Sequence, residues 1–282
     1  MTPGEFDMKV FETASRLAKE HDISCDPANP VPSDDSLLDS IFEAGVSLFL
    51  ETGTYCMSTE RVIKFSDEEI KEGLREASDE MTIGNGLEQR RLFQRKAEDQ
   101  RPPLYLGGVV EGNPQEGEMF VKLYQSIAQE KLVDGIYYGP PHTIEGKVAR
   151  FGSPLEAHAH RCASMWIREA LRRVGRPGLH LISASPSALG DVTGCDSENG
   201  LRKTDAIAVP VTSELKTDYD QLMKVVYSLT YGCTRNSYSN PIVGGFAGGP
   251  NSAAIVSVAG APQGLLVYQL RISGYVHCTG GT

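Results

Sequence analysis

Gly175-Arg-Pro-Gly-Leu-His-Leu-Ile182-Ser-Ala-Ser-Pro186 is the stretch on which the fold is read. Gly175 and Pro177 stop a helix, because neither residue continues one. The run Leu179 to Ala184 that follows is short, apolar and bounded by Pro186, the pattern of a buried strand. Upstream, Pro154 to Val174 has helical length. The same grammar runs in both directions from this unit. Leu104 to Val110 precedes a helical stretch over Met119 to Lys131, and Val133 to Tyr138 precedes the helix at Pro154. Downstream come Asp205 to Val211, a helix over Glu214 to Tyr231, and an apolar run over Pro241 to Phe246. The Ala- and Val-rich segment Ser252 to Leu270 follows, and Tyr275 to Cys278 opens one more strand.

Strands and helices alternating at roughly 30-residue spacing imply parallel strands with crossover helices. The strands are continuous apolar runs, as expected when both faces of a sheet are covered. About six are counted, whereas a complete (β/α) barrel needs eight and roughly 250 residues of its own. A doubly wound sheet and a barrel cut short after its sixth strand both remain open on this count.

The first hundred residues read differently. Phe6 to Glu20 and Asp35 to Phe49 carry apolar positions close to a 3.6 period, and Ser66-Asp-Glu-Glu69 opens a third helix with Ser66 as its N-cap. Gln89 to Arg101 is rich in Arg and Gln and reads as a solvated or interface helix. Arg101-Pro-Pro103 ends the region. The expected division is a helical extension over residues 1–101 and a partial barrel over 102–282.

Composition narrows the partners. The chain has 282 residues, 40% hydrophobic and 23% charged, with a net charge of −10. That acidity argues against nucleic acid and against an anionic membrane surface. No run approaches the roughly 20 apolar residues of a membrane helix, and the N-terminus has no signal-like apolar region. The six cysteines form no C-x-x-C pair and no metal-binding spacing. They read as reduced thiols in a cytoplasmic protein.

Parallel α/β folds work at the C-terminal ends of their strands. Among residues there, Gly244-Gly-Phe-Ala-Gly-Gly249 is the sharpest local signal. The paired glycines Gly244, Gly245, Gly248 and Gly249 let backbone amides approach an anion, although the run matches no nucleotide motif and also reads as a plain tight turn. His180 and His277 sit in expected strands, where one face points inward. His158 and His160, two apart on a helix, face different ways and read as structural. Ser187 lies outside any G-x-S-x-G elbow, which speaks against a serine hydrolase.

Several blocks, in order, resemble the monomethylamine methyltransferases of methanogens. They include Leu50-Glu-Thr-Gly-Thr-Tyr-Cys56, Gly175-Arg-Pro-Gly178, Glu214-Leu-Lys216 with Asp218, Pro241-Ile-Val-Gly-Gly-Phe-Ala-Gly-Gly249 and Gly274-Tyr-Val-His277. The series spans nearly the whole chain. The resemblance implies a TIM-type (β/α) barrel behind an N-terminal helical extension, assembled as a homo-oligomer. It implies transfer of a methyl group from a small methylated amine to a corrinoid carried by a separate corrinoid protein, with no cofactor bound directly. It also puts pyrrolysine, the family's amine-binding electrophile, at the position of Ile182, and a carboxylate at that of Tyr238. Neither chemistry is available here, so Ile182, Tyr238, His180 and His277 are pocket candidates rather than catalytic residues. Three readings follow: a methyltransferase with a changed substrate, a non-catalytic barrel fragment, or an α/β enzyme binding an anionic small molecule at the glycine loop.

Overall fold

The computed structural model describes residues 1–29, 32, 34–93, 99–109, 116–195, 200–212, 214–237 and 241–270. Helices α1 (Pro3–Glu20), α2 (Asp35–Thr52) and α3 (Asp67–Glu76) come first. Capping boxes open α1 and α3, Thr2 with Glu5 and Ser66 with Glu69, each satisfying two backbone donors that the first turn would leave bare.

Five strands then form one parallel sheet: β1 (Leu106–Val109), β2 (Gly135–Tyr138), β3 (His180–Ser183), β4 (Ala206–Ala208) and β5 (Thr234–Asn236). Their spatial order is their chain order, β1 to β5. A doubly wound sheet reverses at a switch point, whereas an unreversed series is the order of a (β/α) barrel. The intervening helices are α4 (Glu118–Ala128), α5 (Pro154–Arg173), α6 (Ala188–Gly194) and α7 (Tyr219–Tyr231), with α8 (Pro250–Leu266) after β5.

Strand alternation divides the apolar side chains. Ile136, Tyr138, Leu181, Ile207 and Val209 pack outward against Phe120 and Tyr124 of α4 and Ile167 and Leu171 of α5. Tyr137, Ile182, Ala206 and Ala208 point inward and form the lumen cluster, with Leu106 and Ala184 against it. A third core joins the N-terminal helices to α8: Phe6, Val10 and Leu17 of α1, Ala44, Leu48 and Phe49 of α2, and Ile255, Val256 and Ala259 of α8. A Cβ at Gly45 would stand 2.4 Å from Val258 Cγ1, so glycine sets the close approach of α2 to α8. A second tie crosses the chain. Lys216–Thr217, between β4 and α7, pairs in parallel with Thr54–Cys56.

Three sequence expectations fail. Pro241 to Phe246 is a loop, not a strand. Ile242 and Val243 are 73% and 61% exposed, and Gly244 turns the chain at φ +84°. The strand lies upstream at Thr234–Asn236. Arg90–Phe93 is a strand rather than part of a helix. The turn through Gly84 and Gly86 folds it back on Glu80–Ile83, where Arg91 pairs with Glu80. The helix expected from Glu214 begins at Tyr219, because Asp218 accepts the Gln221 amide (2.8 Å) and caps it there. The expected strand Tyr275 to Cys278 lies outside the described residues, as do His277 and Tyr238. Among the described residues no helix is long and apolar enough to cross a membrane.

A charged cavity at the barrel mouth

The chain leaves β2, β3 and β4 through Pro140-Pro141-His142, Ala184-Ser185-Pro186 and Val209-Pro210. These turns bound a cavity of about 380 Å³ at the C-terminal end of the sheet. Ala184, Ala208, Pro140, Pro210 and Phe151 supply apolar wall, while Glu156 of α5 and Gln221 and Lys224 of α7 supply polar groups. A larger hollow of about 760 Å³ is lined by Lys203, Thr204, Cys233 and Thr234, which lead into β4 and β5. It therefore lies at the N-terminal end, where barrels carry stability rather than chemistry.

Ile182 does not border the mouth cavity. It is fully buried in the lumen cluster, and the inward position that follows it, Ala184, is the one that reaches the cavity. Two residues along a strand is roughly 6.6 Å, so Ile182 sits one layer beneath the floor. His180 is at the opposite end of β3. Its Nδ1–H donates to the Thr204 carbonyl (2.8 Å), and burial pushes its pKa down. The glycine loop belongs elsewhere. Ala247 is part of the core of the N-terminal helices, and a Cβ at Gly248 would meet Phe11 of α1 at 3.0 Å. That core and the lumen cluster around Ile182 share no residue.

The buried polar groups of α5 run in one line from the mouth down the barrel wall. Glu156, His160, Ser164 and Arg168, four residues apart and all buried, face the sheet as a polar seam. At its upper end the Glu156 carboxylate accepts from four donors, Gly152 N–H (2.6 Å), Ser185 Oγ (3.1 Å), Ser187 N–H (3.1 Å) and Ser187 Oγ, whose one proton is shared between the two carboxylate oxygens (2.9 Å each). A Cβ at Gly190 would fall 1.9 Å from Ser185 Oγ, so only glycine lets α6 close on this loop. Below it, Ser183 Oγ donates to Asp191 Oδ1 at 2.5 Å and lies 2.7 Å from His160 Nε2. The single hydroxyl proton is committed to Asp191, so His160 Nε2–H is the donor to Ser183. Burial, helped by the Lys224 charge, drives the His160 pKa down to about 3 and keeps the ring neutral. The trio of serine, histidine and aspartate is therefore a lock between β3, α5 and α6, not a nucleophile with its base.

Asp191 is fully buried, and that burial raises its pKa to about 6 against the attraction of Lys224. Lys224 Nζ lies 3.0 Å from Asp191 Oδ2 and donates to the Ser185 carbonyl at 2.8 Å. One turn earlier on α7, Gln221 Oε1 is a buried acceptor without a hydrogen-bond partner among the described residues. The mouth thus sets polar residues, Glu156, Gln221 and Lys224, within an apolar rim. No group of His, Cys, Asp or Glu suited to a metal ion occurs among the described residues. Sequence reading passed over Glu156, Asp191, Gln221 and Lys224. The signals were the four-residue polar period of α5 and a lysine at a core position of α7, beside Val225 and Ser228.

Comparison with known proteins follows the same outline. The family model described as monomethylamine methyltransferase MtmB matches residues 1–282. The monomethylamine methyltransferase MtmB2 of Methanosarcina acetivorans is 32% identical over 231 residues, 81% of this chain and 50% of the relative. MtmB3 of Methanosarcina barkeri is 30% identical over 256 residues, 89% and 56% of the two chains. The chain spans about half the length of these curated relatives. The crystal structure of the Methanosarcina barkeri monomethylamine methyltransferase superposes with a TM-score of 0.90 at 28% identity, over 96% of this chain and 59% of the other. A crystal structure of the hydroxylamine complex of MtmB matches equally.

Proposed function

The chain belongs to the monomethylamine methyltransferase family, and we propose on that footing that its mouth cavity holds a methylated amine for transfer of the methyl group to a corrinoid protein. The observation that carries this reading is the apolar-walled cavity, bordered by Glu156, Gln221 and Lys224, at the catalytic end of the barrel. A methylated amine sets its methyl groups against Pro140, Phe151 and Ala208. The corrinoid supplies, when its carrier protein docks at the mouth, the electron pair that accepts the methyl group. A cavity of about 380 Å³ suits an amine and not a macrocycle, in keeping with a corrinoid held by a partner. The chain's own residues orient the N–CH₃ bond outward, exclude water, and stabilise the nitrogen as it keeps the electron pair of the broken bond. A cytoplasmic location and assembly as a homo-oligomer belong to the same reading.

With Ile182 below the floor, capture of the amine is by contact and not by a covalent adduct. Without that covalent capture, monomethylamine is then not the donor. The test mixes the chain with a reduced corrinoid protein and a panel of N-methylated amines, cationic and zwitterionic, and follows the cobalt absorption spectrum. Methyl transfer from at least one donor other than monomethylamine is expected. No transfer from any donor overturns the reading.

A further inference from the structure

Helix α7 turns its charges inward and its apolar side chains outward. Over Tyr219–Tyr231 it holds two charged residues. Asp220 accepts the Ala188 amide at the start of α6 (3.0 and 3.1 Å). Lys224 is buried, donates to the Ser185 carbonyl and lies 3.0 Å from Asp191 Oδ2. The outward face is left to Tyr219, Met223, Val226 and Leu229, which are 58%, 55%, 62% and 50% exposed. With the half-buried Leu222, the series Tyr219, Leu222, Val226, Leu229 recurs at three and four residues, the seam of a helix that packs on another helix.

The other helices show what is unusual here. The outer side of α5 carries Glu169, Arg172 and Arg173, paired with one another and with Glu118. Helix α8 has no charged residue, and α1 and α2 cover it. Helix α7 has an uncharged face of the same kind, and no helix lies over it among the described residues.

Two arguments name the cover. The first is charge. At −10 each, two copies of this chain repel over most of their surface. On the outward face of α7 they meet with no carboxylate to desolvate, whereas a partner chosen by charge finds nothing there to pair with. The second is area. Four side chains of this size at about half exposure present on the order of 400 Å². With an interface about 65% apolar, that corresponds to about 600 Å² per copy and about 1,200 Å² in all, the lower limit for a stable pair.

We propose that α7 packs against α7 of a second copy across a two-fold axis, with Met223 and Val226 nearest the axis. The same patch then serves both copies. This rests on the homo-oligomer of the proposed reading and gives it a surface. The inner side of α7 borders the mouth cavity through Gln221 and Lys224, so a contact on its outer side braces one wall of that cavity in each copy.

The test is sedimentation velocity of the 282-residue chain from about 1 to 100 µM. A reversible dimer is expected, its Kd no weaker at about 500 mM salt than at about 50 mM, since no ion pair is in the contact. Met223→Glu and Val226→Glu place a charge in each copy at exposed positions. They are expected to keep the wild-type urea midpoint and to raise Kd at least about a hundredfold. Arg172→Glu, on the charged outer side of α5, leaves the dimer intact. Association that survives both glutamate variants overturns the inference and leaves the homo-oligomer standing on another face. Association that weakens with salt overturns it in the same way. A chain monomeric at every concentration overturns the inference and the homo-oligomer together, and the cobalt assay judges the methyl-donor reading separately. If such a monomer binds the corrinoid protein and Val226→Glu weakens that binding, the cover of α7 is that partner and the inference falls.

Discussion

The two ends of the barrel each hold a buried ion pair, and only one of the two borders the mouth cavity. At the N-terminal end Arg168 pairs with Asp205, and both are buried. Asp205 also accepts the Leu181 amide (3.0 Å) and the Arg202 amide (2.7 Å), while Arg168 Nε donates to the Gly200 carbonyl (2.8 Å). This pair stitches α5 to β3 and to the loop before β4. At the C-terminal end Lys224 of α7 and Asp191 of α6 are buried as deeply, and Lys224 borders the mouth cavity. The planar guanidinium bridges fixed backbone and carboxylate partners through Nε and Nη2, with Nη1 left without a partner among the described residues, whereas the ammonium is a point charge on a flexible stem. The seam therefore divides along the barrel axis into a structural end and a working end.

Breaking the structural end gives the largest effect. Arg168→Met leaves Asp205 buried without its cation, and a cost of about 3–5 kcal/mol in urea unfolding is expected. A loss under about 1 kcal/mol would mean the pair contributes no more than a surface one and the contrast fails.

Ile182→Ala tests whether the lumen layer belongs to the structural end. The truncation opens a void among Tyr137, Ala206 and Ala208, for an expected loss of about 2–4 kcal/mol. A loss under about 1 kcal/mol would show that Ile182 does not pack the lumen layer.

The smallest effect sharpens the middle of the seam. His160 has its pKa lowered from 6.5 to about 3. The unfolded chain binds that proton first, so its contribution to stability is complete above about pH 6.5 and is lost progressively toward pH 3. Asp191, raised from 3.8 to about 6, acts in the reverse sense. Between about pH 6 and 4 the folded chain takes up its proton first, and stability rises as pH falls through that window. The larger His160 shift wins. Urea midpoints of the wild type should fall further between about pH 7 and pH 4.5 than those of His160→Gln. Identical slopes for the two proteins would show that His160 is not held neutral.

Four of the five strands could be read from their apolar runs between turn residues. β5 could not. Thr234-Arg-Asn236 is short and polar, because its inward Asn236 meets the Tyr137 hydroxyl across the lumen rather than packing on carbon. The apolar Pro241-Ile-Val243 drew the assignment instead, although its side chains face outward. The site was hidden for a related reason. Glycines announce themselves locally, and the glycine loop was singled out for that reason. Glu156 and Lys224 acquire their meaning only when α5, α6 and α7 converge on the end of β3, a contact between positions up to 68 residues apart. The period of Glu156, His160, Ser164 and Arg168 was the one legible trace of it.

The core shared by α1, α2 and α8 has a consequence for how the chain is made. Gly45 on α2 waits for Val258 on α8, more than 200 residues later. At roughly 5–20 residues per second on the ribosome, the apolar stripes of the first two helices stay uncovered for about 10–40 s. The β/α units between them can assemble pairwise as they emerge, while α1 and α2 wait longest for α8. During synthesis the vulnerable part is this helix pair, and holding chaperones should engage it.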